Sequence, residues 1–108
     1  MILQRTSSVP DLSTAKVLAN MGVAYFESHR IAEADFQFNR SLLILAQLPT
    51  STGEAGILKS YAVVLRKSGR KIEARQLDSR ANSILQRLAS EKQGHSIDAS
   101  ELSLSPTK

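Results

Sequence analysis

An internal repeat constrains the fold of this chain more than any other feature of its sequence. When the sequence is shifted by 40 positions, residues 15–44 lie over residues 55–84 without a gap, and nine of the thirty pairs are identical. Unrelated segments of ordinary composition would share about two. The identical pairs are Ala15/Ala55, Leu18/Leu58, Val23/Val63, Ser28/Ser68, Arg30/Arg70, Glu33/Glu73, Ala34/Ala74, Arg40/Arg80 and Ile44/Ile84. The 108 residues therefore contain two copies of one supersecondary unit.

Helical periodicity within the first copy indicates what that unit is. Apolar residues recur at spacings of three and four over residues 12–28 and again over residues 31–47. Asp11, Ser13 and Thr14 are candidate N-caps of the first helix. The second helix should stop before Pro49, because proline restricts the residue that precedes it. The first copy thus predicts a helical hairpin.

The second copy predicts another hairpin with its own start and stop signals. Ser51 and Glu54 have the spacing of a capping box, and Gly69 suits the left-handed conformation that follows many helices. A fourth helix is expected from about Arg70 to Glu91. Its expected buried face consists of Ile72, Ala74, Leu77, Ala81, Ile84, Leu85 and Leu88.

The predicted fold is all-α, with two tandem antiparallel helical hairpins in a short α-solenoid of the right-handed superhelical type. Residues 1–11 form an N-terminal extension, and residues 12–92 form the helical domain, with repeats at about 12–47 and 52–91. Residues 93–108 are rich in serine and have no sustained apolar period, so a flexible tail is expected there.

Small residues recur at matching positions in three segments of each copy. These segments are Leu18 to Tyr25, Ile31 to Ala34 and Phe38 to Leu42 in the first copy, and Leu58 to Leu65, Gly69 to Ala74 and Leu77 to Ala81 in the second. Their pattern resembles that of the tetratricopeptide repeat, especially the long-period type found in kinesin light chains. We expect Gly22/Ala62 and Ala34/Ala74 where the helices of a hairpin approach closely, and Ser41/Ala81 where the two hairpins meet. The sequence departs from the family at His29, which replaces the usual turn glycine, and at Asp78, where a large apolar residue is favoured.

The resemblance implies a protein-binding groove lined by the first helix of each hairpin. The residues expected to line it are Lys16, Ala19, Asn20, Val23, Phe26, Glu27, Lys59, Ser60, Val63, Arg66 and Lys67. Lys59, Arg66 and Lys67 fall two turns apart on one helix, so they predict a common positive field and an acidic peptide or carboxylate as the partner. The alternative interpretation is that they are ordinary solvated cations.

Composition limits the other functions that the chain can have. The net charge is +4, and residues 55–92 carry nine basic and three acidic side chains. A basic helical nucleic-acid-binding protein is thus the main alternative to a protein-interaction module, although Glu73 and Asp78 interrupt the basic run and aromatic residues are few. No apolar stretch reaches the roughly 20 residues of a membrane span. The N-terminal residues lack the pattern of a secretory signal, so a cytoplasmic protein is expected.

No catalytic constellation, cofactor motif or metal site is predicted. His29 and His95 fall in a predicted turn and in the predicted tail, and no acidic cluster accompanies them. The chain contains no cysteine, and its serines have no nucleophile-elbow motif. We therefore expect no enzyme activity. Because two repeats leave apolar end faces uncovered, we expect a homodimer or a place in a larger assembly.

Overall fold

A computed structural model describes residues 10–104 of the chain, and the side chains of residues 10–91. These residues form four helices, α1 (Leu12–Glu27), α2 (Ile31–Leu45), α3 (Thr52–Lys67) and α4 (Lys71–Leu104). Helix α1 packs along α2, α3 packs along α4, and α1 also contacts α3. No strand occurs between residues 10 and 104. The predicted all-α fold with two helical hairpins in tandem is confirmed.

The offset of 40 residues recurs in the positions at which the helices begin and end. Helices α1 and α3 both have 16 residues, and each begins after an N-cap residue, Asp11 or Ser51. The Asp11 carboxylate accepts a hydrogen bond from the backbone N–H of Thr14 at 3.1 Å, and the Ser51 hydroxyl accepts one from that of Glu54 at 3.2 Å. The caps therefore set the same starting register in both hairpins.

The turns inside the two hairpins also have the same backbone conformation. His29 has a φ of 65° and Gly69 has a φ of 85°, so both lie in the left-handed region. The residue after each turn donates its backbone N–H at 2.8 Å to a carbonyl five residues earlier, from Arg30 to Tyr25 and from Arg70 to Leu65. His29 thus adopts the backbone conformation of the glycine that it replaces.

Close approach of the helices inside each hairpin depends on small residues. A Cβ atom added to Gly22 would lie 2.6 Å from the ring of Phe38, so only glycine leaves room for this ring. Three of the predicted contact alanines are fully buried, namely Ala34, Ala62 and Ala74.

The role expected for Ser41 at the contact between hairpins is wrong. Its hydroxyl donates to the Ala15 carbonyl at 2.7 Å, so Ser41 lies between α1 and α2. Its counterpart Ala81 clusters with Ala55 and Leu58 of α3, again inside one hairpin. Both positions face the first helix of their own hairpin, because they continue the stripe that begins seven residues earlier at Ala34 and Ala74.

The two hairpins meet where α3 packs on α1 and α2. Ile57, Tyr61 and Val64 are buried there in the same cluster as Ala19 and Phe38. The rings of Phe38 and Tyr61 stack, with centroids 4.4 Å apart and planes inclined by 8°. This contact makes one continuous core across both hairpins and fixes the position of α3 beside α1.

Helix α4 differs from its prediction in its buried face and in its length. Ala74, Leu77, Ala81, Ile84 and Leu88 form the buried or half-buried stripe at spacings of three and four. Ile72 and Leu85 were predicted on this face, but they lie off the stripe and are 69% and 37% exposed. A single neighbouring helix covers only a narrow stripe, which explains the error.

The helix also continues past its predicted end near Glu91 as far as Leu104. No proline lies between Pro49 and Pro106, and a packed helix extends at little cost per residue. The backbone of residues 93–104, where the sequence predicts a flexible tail, is therefore helical. Residues 105–108 of that tail and residues 1–9 of the predicted extension lie outside the described residues.

Candidate protein-binding groove

Two adjoining depressions run along the gap between α1 and α3, and Ser60 lines both of them. Together we call them the groove. Its walls are the first helices of the two hairpins, and their spacing is fixed by the buried contacts of α3 with α1 and α2. Side chains that point into the groove are therefore presented from rigid elements.

The larger depression, of about 570 Å³, combines polar and apolar surface in nearly equal parts, and we call it the polar depression to distinguish it from the other. It lies at the N-terminal ends of α1 and α3, and Lys16 is the only charged residue among those that line it. Gly56 leaves the α3 wall open at this end, whereas Gly53 lets the Leu12 side chain of α1 approach closely. The lining residues are Leu12, Lys16, Ala19, Asn20, Ser51, Thr52, Gly53, Gly56, Ile57 and Ser60.

The smaller depression, of about 250 Å³, is mainly apolar and lies at the C-terminal ends of the same helices. Val23 and Phe26 of α1 face Val63 and Val64 of α3 across it. Val63 is 44% exposed, so the floor of the depression presents apolar surface to solvent. The charged residues that line it are Glu27 on one wall and Lys67 on the other.

The structure brings most of the predicted groove residues together. Lys16, Ala19 and Asn20 line the polar depression, Val23, Phe26, Glu27, Val63 and Lys67 line the apolar one, and Ser60 lines both. Lys59 and Arg66 line neither depression. The sequence reasoning missed Gly53 and Gly56, although two glycines in the first turns of a helix indicate a wall without side chains at those positions.

Arg66 points away from the groove because it forms an ion pair with Asp78 of α4. Asp78 thus has a partner inside its own hairpin. The common positive field expected from Lys59, Arg66 and Lys67 is therefore wrong for the groove, where only Lys67 of the three remains. With Lys16 and Glu27, the charges that line the groove are two positive and one negative.

Other cations of the basic run are also paired with acidic residues. Arg70 donates to Asp35 of α2 at 2.7 Å and to Glu73 at 2.8 Å, and its counterpart Arg30 pairs with Glu33 at 2.9 Å. Hydrogen bonds to Glu73 and Asp35 raise the pKa of the Arg70 guanidinium, and the bond from Arg70 lowers the pKa of Glu73. These cations therefore stabilise turns and the contact between hairpins.

A hydrogen-bonded junction lies behind the groove. The Tyr61 hydroxyl donates to Oδ1 of Asp35 at 2.7 Å, and Oδ2 of the same carboxylate receives the bond from Arg70. Burial and then the hydrogen bond to Asp35 raise the pKa of Tyr61 to about 12. The junction joins α2, α3 and the turn before α4, so it helps to set the width of the groove.

Comparisons of the chain with protein-family models, with curated proteins and with solved structures found no match. Among the described residues, no group of three or more His, Asp and Glu side chains could hold a metal ion. The same part of the chain contains no helix with the length and apolar character of a membrane span. The cytoplasmic location inferred from the sequence stays a prediction.

Proposed function

We propose that this chain is a tetratricopeptide-like protein-interaction module that binds a peptide segment in the groove. The observation that carries the proposal is the continuity of the two depressions: they meet at Ser60 and together follow both first helices. Each of these helices has 16 residues and therefore extends about 24 Å. An extended segment of about seven residues would span that distance.

The apolar depression supplies the anchor for such a segment. Val23, Phe26 and Val63 offer partly exposed apolar surface, and an inserted apolar side chain would remove it from water. Because helices fix the walls, little conformational entropy is lost in the module when the segment binds. We expect one large apolar side chain of the partner to contribute most of the binding energy.

The polar depression supplies directional contacts for the rest of the segment. Asn20 and Ser60 offer donors and acceptors, and Lys16 offers a positive charge. An acidic side chain or carboxylate near Lys16 is the complementary partner. The partner that we propose therefore combines an apolar anchor at one end with an acidic group at the other.

A peptide selection followed by a matched pair of variants tests the proposal. Peptides selected from a random library on the immobilised protein should perturb the amide resonances of α1 and α3. Val63→Lys should weaken their binding by about tenfold or more, because it places a charge in the apolar depression. Leu43→Lys is the control, since Leu43 is an exposed apolar residue of α2 outside the groove. Equal binding by both variants would refute the groove as the site.

We also propose that the protein associates with itself through one end of the two-hairpin stack. Exposed apolar side chains remain on α1 and α2, among them Val17, Met21 and Phe36. Surfaces of this kind are usually covered by a partner.

Nucleic-acid binding is the weaker candidate. Arg80 and Arg87 line one depression of about 400 Å³ on α4 together with Ser79 and Ser83, which is compatible with phosphate contacts. However, Glu54 lines the same depression, and Arg66 and Arg70 of the basic run are held in ion pairs. Titration of random duplex DNA at low salt tests this candidate, and detectable binding that Arg80→Glu and Arg87→Glu abolish would support it.

A further inference from the structure

We propose that one face of α1 binds the same face of a second copy and so forms a closed, two-fold symmetric homodimer. The face consists of Val17, Met21 and Ala24, and we call it the α1 end face. This inference rests on the proposed self-association and specifies which surface is used and with what symmetry. It does not involve the groove, because none of these residues lines either depression.

The internal repeat shows what the α1 end face is shaped to receive. At the offset of 40, Val17, Met21 and Ala24 correspond to Ile57, Tyr61 and Val64 of α3. Those three residues are buried against the first hairpin, whereas Val17 is 55% and Met21 is 38% exposed. The α1 end face therefore corresponds to the surface with which the second hairpin packs on the first. In α1, no other hairpin covers this surface among the described residues.

The surroundings of this face are compatible with a second copy of the same face. Its exposed neighbours along α1 are mostly uncharged, namely Ser13, Thr14, Asn20 and Ser28, with Glu27 at the edge. Arg30, in the turn after α1, is paired with Glu33. When two identical faces meet across a two-fold axis, a face with a net charge meets an equal charge of the same sign, so the two faces repel each other. An uncharged apolar face avoids that penalty.

A head-to-tail arrangement would repeat the contact between the two hairpins, but the required residues are missing. In that contact Asp35 binds Tyr61 and Arg70. At the offset of 40, Arg75 corresponds to Asp35, and Met21 and Arg30 correspond to Tyr61 and Arg70. A head-to-tail contact would therefore place Arg75 of one copy against Met21 and Arg30 of the next. Two arginines would then meet where a carboxylate and an arginine now pair, and like charges at an interface oppose association.

The opposite end of the stack is also too polar to receive the α1 end face. In the repeat alignment Asp78 corresponds to Phe38, and Asn82 corresponds to Leu42. Asp78 also forms an ion pair with Arg66. Polar outer faces are typical of the capping unit of a repeat array. The stack is therefore closed at its α4 end, and its α1 end face is left for a second α1 end face.

Sedimentation of the full chain with two matched variants tests the proposal. Met21→Lys removes an apolar residue from the α1 end face, and Leu85→Lys removes one of nearly equal exposure, 37%, from the other end. We expect the wild type and Leu85→Lys to be dimers at micromolar concentration. Met21→Lys should dimerise about a hundredfold more weakly, because each copy would bury an unpaired ammonium group. Unchanged helical circular dichroism would show that both variants are folded.

The symmetry is tested by cysteine cross-linking, since the chain has no cysteine of its own. On mild oxidation, Met21→Cys should form a covalent dimer, whereas Leu85→Cys should not, because only the α1 end face meets its own copy. A monomeric wild type, or dissociation by Leu85→Lys as well, would overturn the proposal. Growth of species larger than a dimer by the wild type would also overturn it, because head-to-tail contacts do not close. Peptide binding by the Met21→Lys monomer would show that the groove functions without the dimer, so the two proposals can fail separately.

Discussion

The hydroxyl of Tyr61 donates a hydrogen bond to Asp35 at 2.7 Å across the contact between the two hairpins. The same carboxylate also holds Arg70, so one side chain of α2 positions both α3 and the turn that leads to α4. Tyr61 is 5% exposed, and its ring stacks on Phe38. The apolar contact between the hairpins thus contains one polar group that depends on a single partner.

Removing that partner should destabilise the protein more than removing a similar carboxylate elsewhere. Asp35→Ala leaves the buried Tyr61 hydroxyl without its acceptor, which costs about 1–3 kcal/mol of unfolding free energy. Asp78→Ala is the control, because the Asp78 and Asp35 side chains are similarly exposed, at 30% and 29%, but Asp78 pairs only with the half-exposed Arg66. Its loss should cost at most about 1 kcal/mol. Urea denaturation measures both values, and equal costs would contradict the special role of Asp35.

The raised pKa of Tyr61 predicts a loss of stability at high pH. Tyrosine in an unfolded chain ionises near pH 10, whereas burial and Asp35 raise the pKa of Tyr61 in the folded protein to about 12. The folded state therefore keeps its proton over a range in which the unfolded state loses it. The stabilisation is complete below about pH 10 and is lost progressively between about pH 10 and 12.

The Tyr61→Phe variant isolates this effect from the other groups that titrate in the same range. It should lose less stability between pH 10 and 12 than the wild type does. The chain has two tyrosines, so the difference between the phenolate absorbance titrations of wild type and variant reports on Tyr61. A midpoint near pH 10 in that difference would contradict the assigned environment.

Substitutions at the two left-handed turn residues, His29 and Gly69, should change the stability of the protein in opposite directions. His29→Gly should stabilise the protein by about 0.5–1 kcal/mol, because a residue with a Cβ atom is strained at a φ of 65°. Gly69→Ala should destabilise it by about 1 kcal/mol, since alanine would take on the same strain at a φ of 85°. Thermal denaturation should show shifts in opposite directions. Shifts of the same sign would mean that the two turns are not equivalent.

The repeat made most of the secondary structure predictable, because the helix pattern of one copy could be checked against the same pattern in the other. The start of α3 at the Ser51 cap and the left-handed turn at Gly69 could be read from local sequence alone. Gly22 could be placed inside the hairpin, since a glycine and an alanine at matching positions imply close approach. All of these features depend on short stretches of chain whose conformation is set locally.

The features that could not be predicted depend on how helices are rotated against each other. Ser41 and Arg66 each had two faces available, and the rotation of α1 against α2 and of α3 against α4 decided between them. The pairing of Asp35 with Tyr61 and Arg70 spans 26 and 35 residues of sequence and has no periodic signal. The groove was partly predictable because its lining follows one face of each first helix, and the error at Arg66 arose where a neighbouring helix supplied a competing acid.

Two glycines on the first helices allow a direct test of the packing inside the first hairpin. Gly22→Ala would place a Cβ atom 2.6 Å from the Phe38 ring, whereas a Cβ atom at Gly56 would meet nothing within 4 Å. Both glycines lie inside helices, where alanine is favoured over glycine by about 1 kcal/mol. Gly56→Ala should therefore stabilise the protein by about that amount. Gly22→Ala should instead destabilise it by about 1–2 kcal/mol, because overpacking costs more than the propensity gain. Chemical denaturation gives both values, and a stabilised Gly22→Ala would show that Phe38 does not fill the space against α1.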